Sequence, residues 1–248
     1  DIITTIKEAR FIGEQSSWKK INLNDIVNYE KISSLVGQNH YKKIKQTIDL
    51  DETDENFDFH LKYTLERHLS PLKLKNSQIP TYVIPIKPVW AEQLFDDKSG
   101  EKLPLFESED KLLLNRENVY YRTSSKGSLV APARILWYVS QNATTKEKGQ
   151  IKAASYVDEI FIDDAKKLFK QFKDLGIYKW NDIKKTANKE NKIMAFIFSD
   201  TELFDIPVNL KFLRELFFKE EDKNFMVMSP TKIKNETYLA IYKRGMKG

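Results

Sequence analysis

Two short stretches gather side chains able to do chemistry. In LNRENVYYRTSSKG, Leu114 to Gly127, two arginines, a carboxylate, an amide and paired tyrosines fall within a few residues. If VYYR is a strand, alternation sends Val119 and Tyr121 to one side and Tyr120 and Arg122 to the other. A phenol ring stacks on a base, and a guanidinium pairs with a phosphate or a base edge through two parallel hydrogen bonds. Such stacking is worth about 1–3 kcal/mol per base and demands no particular sequence. Arg116, Asn118, Tyr120 and Arg122 are therefore candidate nucleic-acid contacts. The competing reading is an edge strand whose Tyr120 covers the core and whose Arg122 pairs with a surface acid.

The second stretch is SDTELF, Ser199 to Phe204, which follows an apolar run. Asp200 and Glu202, with Glu117 as a third carboxylate, have the chemistry of a metal-assisted or acid–base site. Ser-x-x-Glu is also a helix capping box, in which Ser199 or Asp200 starts a turn and Glu202 closes it. Ser199 joins the candidate contacts. So does Ser155, in IKAASYVDEIFI, which either reaches a ligand beside Arg122 or is small for close sheet packing. In ARILWYVS, Ile135, Trp137 and Val139 share one face, so Trp137 belongs to the core and Tyr138 points away.

Composition removes several classes. The chain of 248 residues has no cysteine, which excludes disulfides, thiol catalysis and thiolate metal sites. Three histidines, His40, His60 and His68, form no ligand motif, and no metal or cofactor is expected. GxSxG and P-loop patterns are absent. A net charge of +5, from 41 basic against 36 acidic residues, suits local attraction to phosphate rather than wholesale condensation of nucleic acid. No apolar run approaches the roughly 20 residues of a membrane span and no leader opens the chain, so a cytoplasmic protein is expected. Asp1 stands in place of a methionine, as in a fragment or trimmed product.

The elements that must position these residues divide the chain in two. From Asp25 to Leu69 the apolar spacing is helical, with Asn24 or Asp25 as a cap, Gly37 as a stop, and an acidic loop at Asp49 to Asn56. From Ile79 the pattern turns strand-rich. TYVIPIKP, VYYR, ARILWYVS, IKAASYVDEIFI and NKIMAFIFS read as strands, with FMVM and ETYLAIY as two last ones. VWAEQLF, AKKLFKQFKDL (capped by Asp163 or Asp164), a turn after Trp180 and NLKFLRELFF read as helices. Asp96 to Asp110 reads as a charged loop. The expected class is α+β: a helical N-terminal segment, 1–78, then a mixed β-barrel with peripheral helices, 79–248.

The order IKPVWAEQLF, NVYYR, ARILWYVS, AASYVDEI resembles the PUA-like superfamily, ASCH and EVE-type domains above all. Lys87, Pro88, Ala91, Glu92 and Leu94 match the opening motif, and Arg122 stands where ASCH strands carry an arginine. The ASCH signature GxKxxExR falls on Asn115, Glu117, Tyr120 and Arg122 and keeps its arginine alone, so no catalytic set is carried over. The later blocks also look like PUA-like modules attached to acetyltransferase-like or PIN-type domains in prokaryotes. The resemblance implies a barrel that binds nucleic acid, RNA ahead of DNA or modified DNA, in a cleft edged by Arg116, Asn118, Tyr120, Arg122, Ser155 and Ser199. The alternatives are a metal-assisted nuclease or toxin using Asp200, Glu202 and Glu117, and a protein-interaction module whose partner meets the N-terminal helices.

Overall fold

The computed structural model describes residues 9–14, 17–22, 26–32, 37–75, 77–95, 117–124, 129–141 and 149–246. Arg116 and the expected loop at Asp96 to Asp110 lie outside them. The N-terminal part is not purely helical. Strands β1 (Ala9–Glu14) and β2 (Ser17–Asn22) pair as an antiparallel hairpin, and β3 (Ile26–Val27) pairs in parallel with β4 (Lys73–Leu74). The expected first helix begins instead as a strand and a 3-10 turn, Tyr29–Lys31, and Ile32, the last described residue before a gap, is helical. Gly37, at φ 81°, precedes helix α1 (Gln38–Lys45), and the residues just before it lie outside the described ones.

Helix α2 (Phe57–His68) follows the expected period. Phe57, Leu61 and Leu65, spaced four apart, bury one stripe with Ile32, Ile44, Leu69, Leu72 and Leu74 in a small core of their own. That placement turns Tyr63, Glu66 and Arg67 to a different side of the helix, toward the sheet.

The sheet combines β5 (Thr81–Ile86), β6 (Glu117–Thr123), β7 (Ala133–Val139), β8 (Gln150–Asp164), β9 (Lys192–Asn209) and β10 (Thr231–Ile233). Its order is β10-β5-β7-β8-β9-β6, with β5 and β7 parallel and the other neighbours antiparallel. β6 and β10 are open edges, so the expected closed barrel is corrected to an open mixed sheet. Helices α3 (Pro88–Phe95), α4 (Ala165–Phe172) and α5 (Trp180–Thr186) serve the core of one face, and α6 (Leu210–Glu221) and α7 (Asn235–Gly245) that of the other. Asp164 caps α4 by accepting from Lys166 N and Lys167 N, as expected.

Two endings differ from expectation. ETYLAIY is helix α7, because Tyr238, Ile241, Tyr242 and Gly245 bury one helical stripe. FMVM is not a strand: Phe225 is buried against Tyr138 and Phe217, while Met226 and Met228 are exposed. The final strand is instead Thr231–Ile233, which pairs with β5.

Alternation along β7 gives Ile135, Trp137 and Val139 to one core and Leu136 to the other, as their spacing requires. Trp137 is fully buried, rings with Tyr120, Phe196 and Phe198, and donates its indole N–H to Ser155 Oγ at 2.9 Å. Trp137→Ala is expected to lower the unfolding free energy by about 3–5 kcal/mol, measured by urea titration. A loss under about 1 kcal/mol is the contrary result.

Candidate functional site

Strands β8 and β9 are long, 15 and 18 residues, and they stay paired only by bulging. Their register slips at Ala154/Tyr156 opposite Ser199 to Glu202, and again at Val157/Glu159. Asp158 is the extra residue of the second slip. Asp200 lies in the first, at φ 49°, in the left-handed region that Asp tolerates better than most residues. A bulge re-aims the side chain it carries. Here the bulges present two carboxylates and the Ser199 hydroxyl to the same guanidinium, Arg67, at the end of α2.

Arg67 is fully engaged. Its Nε and Nη2 donate to Asp200 Oδ2 at 3.0 and 2.8 Å, and Nη2 donates to Ser199 Oγ at 2.8 Å. Nη1 donates to Tyr63 OH at 3.2 Å and pairs with Asp158 Oδ1. Ser199 in turn donates to Asp158 Oδ2 at 2.5 Å, and Tyr63 OH to Asp158 Oδ1 at 3.1 Å. Burial works against the Arg67 charge, but Tyr63 and Asp158 outweigh it and hold its pKa above the ordinary arginine value.

Beneath this cluster lies a drier one. Glu66 of α2 and Arg134 of β7 both have no exposed surface. Arg134 Nε donates to Glu66 Oε1 at 2.7 Å, and Nη2 pairs with Oε2 and reaches the Leu74 carbonyl at 3.2 Å. Arg134 Nη1 donates to Asn235 Oδ1 at 2.6 Å. Glu66 also accepts from Tyr156 OH at 2.8 Å and from the Leu74 backbone N–H at 2.6 Å. Burial raises the Glu66 pKa, yet the Arg134 guanidinium, with the Lys73 ammonium and the Leu74 N–H, holds it below the ordinary carboxylate value.

Lys73 ties this drier cluster to Glu202. Its ammonium, 1% exposed, donates to Tyr156 OH at 3.1 Å and to Glu202 Oε1 at 2.6 Å. Ser70 Oγ donates to that same oxygen at 2.8 Å, and Tyr242 OH holds Glu202 Oε2. Above them opens a cleft of about 760 Å³ lined by Tyr63, Thr64, Arg67, His68, Ser70, Asp200, Thr201 and Glu202.

No family model and no curated protein matches the chain. Among solved structures it is similar to the ASCH protein of Zymomonas mobilis, at 16% identity and a TM-score of 0.46, over 64% of this chain and 90% of that one. A variant of that protein gives 17% and 0.48, over 65% and 96%. The N-terminal domain of McrB from Staphylothermus marinus gives 15% and 0.37, over 66% and 94%. The likeness is distant in every case, with TM-scores below 0.5, and says nothing of what this chain binds.

The candidate residues fall on different sides of the sheet. Asp200 and Glu202 line the cleft under α2 and Ser199 is buried beside it, within β9 and not at a helix start, because Ser199 and Glu202 pair with Tyr156 and Ala154 of β8. Asp200 and Glu202 are taken up by Arg67 and by Lys73, and no carboxylate–histidine group able to hold a metal occurs among the described residues. Glu117 is exposed on the edge strand opposite Ser199. Ser155 is buried on the other face, bonded to Trp137 and to Thr201 Oγ1 at 2.8 Å. Tyr120, 8% exposed, sits within the aromatic core, and burial pushes its pKa up to about 12. Arg122 is half-buried nearby, and Asn118 is half-buried two residues before Tyr120.

Arg67, Lys73, Glu66, Arg134, Tyr63, Tyr156, Ser70 and Tyr242 were not legible as site residues, though one signal was present. An arginine opens the apolar strand ARILWYV, and adjacent Glu66-Arg67 interrupts an amphipathic helix; charges at core-facing positions require partners.

Removing one partner strands the other. Arg134→Met is expected to cost about 3–5 kcal/mol at neutral pH, measured by urea unfolding, because Glu66 stays buried without its counter-charge. Because the folded Glu66 pKa lies below its unfolded value of about 4.3, its contribution is complete above that pH. It fades as pH falls through the folded value. Glu66→Gln should therefore flatten the acid limb of stability against pH, and an unchanged acid limb would exclude this role.

Proposed function

We propose that the chain is a nucleic-acid binding module, RNA ahead of DNA, whose contact surface is the β6 edge of the sheet. The observation that carries this reading is Arg122. It is half-buried, and its Nε is a buried donor with no hydrogen-bond partner among the described residues. Burial pushes its pKa down, with partial relief from Tyr120. An unmet buried donor costs about 1–3 kcal/mol, which an acceptor on a phosphate or base edge would recover.

The surroundings suit such a guest. Trp90, half-buried, lies 4.8 Å from the Tyr178 ring, which also meets Tyr120 at 5.9 Å. Asn118, Tyr120 and Arg122 alternate onto one face of an edge strand, so the amide and the guanidinium flank the ring. The net charge of +5 adds weak attraction to a polyanion. Tyr120 itself is too enclosed to stack on a base. It supports the arginine, and Trp90 offers the more accessible ring.

Fluorescence anisotropy with single-stranded RNA and DNA, between about 50 and about 200 mM salt, tests the reading. RNA should bind more tightly than DNA. Arg122→Ala should weaken binding by roughly tenfold or more and, if the contact is to phosphate, lower the salt slope by about one. Absence of binding to either polymer at the lowest salt, or unaltered affinity in Arg122→Ala, refutes it.

A further inference from the structure

The cleft under α2 holds a hydroxyl and a carboxylate, with an ammonium buried beneath them, for which nucleic-acid binding has no use. We propose that Ser70 is the nucleophile of an acyl-transfer site, with Glu202 as its base, acting on carboxylic esters or related acyl compounds. Ser70 and Lys73 stand in the spacing S-x-x-K, which joins a serine hydroxyl to a nearby amine in several acyl-transfer enzymes. The spacing is short and common. Its weight comes from where the fold puts the two groups.

Both donate to one oxygen, Glu202 Oε1, Ser70 at 2.8 Å and Lys73 at 2.6 Å. The other oxygen of Glu202 lies against Tyr242 OH, whose oxygen is also 2.8 Å from the Pro71 carbonyl. A nucleophile within hydrogen-bond reach of a base, and a base oriented by further groups, is the arrangement covalent catalysis uses. Ser70 lines the open cleft, whereas Lys73 beneath it is almost wholly buried, with its ammonium 5.0 Å from the Tyr156 ring centroid and 4.8 Å from that of Tyr242. Stability alone is a weak reason to bury an ammonium, because apolar packing at such a site is often as stable or more so.

The step balances with these groups and water. The Ser70 Oγ–H proton passes to Glu202 as Oγ bonds to the carbonyl carbon and the π pair moves onto oxygen. The oxyanion collapses, the bond to the alkoxide breaks, and the alkoxide leaves with the proton from Glu202. Water then gives a proton to Glu202 while its oxygen bonds to the acyl carbon, and Ser70 Oγ departs with that proton returned. Lys73 and Tyr242 hold the Glu202 carboxylate in place beside Ser70. Around the cleft, Asp158, Asp200 and Glu202 outnumber Arg67 and Lys73, so a neutral or cationic acyl compound is favoured over an anionic one.

The test uses the full chain, a fluorophosphonate probe with peptide mass mapping, and hydrolysis of p-nitrophenyl acetate. The expected result is an adduct on the peptide containing Ser70, absent from Ser70→Ala. Hydrolysis should fall about 100-fold or more in Glu202→Gln, which keeps the shape of the base. Far-ultraviolet circular dichroism shows whether the variants fold. No Ser70 adduct on the wild-type chain overturns the proposal without reference to any variant. So does equal labelling of a folded Glu202→Gln chain.

Discussion

An ion pair withdrawn from water, Glu66 with Arg134, fixes where helix α2 stands on the sheet. Placing two charges in a dry interior is costly, and the attraction between them offsets that cost only with good geometry and further hydrogen bonds. Both conditions hold. Arg134 adds the Leu74 carbonyl and Asn235, and Glu66 adds Tyr156 and the Leu74 N–H. The partners come from α2, the β4 strand, β7, β8 and the start of α7. Directional bonds to all of them leave the helix little freedom to slide or rotate.

Arg67 and the cleft follow from that constraint. With Glu66 anchored, the next residue of α2 is carried to the bulges of β8 and β9, where Asp158, Ser199 and Asp200 surround its guanidinium. Just beyond the helix, Ser70 and Lys73 are brought to Glu202 by the parallel pairing of β3 with β4 and by the bond from Leu74 to Glu66. One face of the sheet thus carries a satisfied polar network with an open cleft above it. The other carries an aromatic core that ends, at the β6 edge, in Arg122. The two faces offer different chemistry: acceptor-rich under α2, donor-rich at the edge.

The sequence made legible what depends on local periodicity. Phe57, Leu61 and Leu65 marked α2, Asp164 marked the start of α4, and Ile135, Trp137 and Val139 marked one face of β7. It misled where tertiary packing decides. The tyrosines and isoleucine of ETYLAIY suit a strand by propensity, yet a helical stripe is what the sheet and α6 bury. Bulges were invisible, because a register slip depends on how two strands pair and not on either one. Asp200 and Glu202 could therefore be singled out as carboxylates with chemistry to do, but not as partners of Arg67 and Lys73, more than a hundred residues away in the chain.

Native-state hydrogen exchange along a denaturant series measures the clamp most directly. If the buried pair joins α2 to the sheet, amides of Leu61 to Arg67 share one opening isotherm with those of β7 and β8, at the global unfolding free energy. If the α2 amides open at low free energy while those of β7 and β8 stay protected, the helix is a loosely attached neighbour, and neither the cleft nor its chemistry is fixed by Glu66 and Arg134.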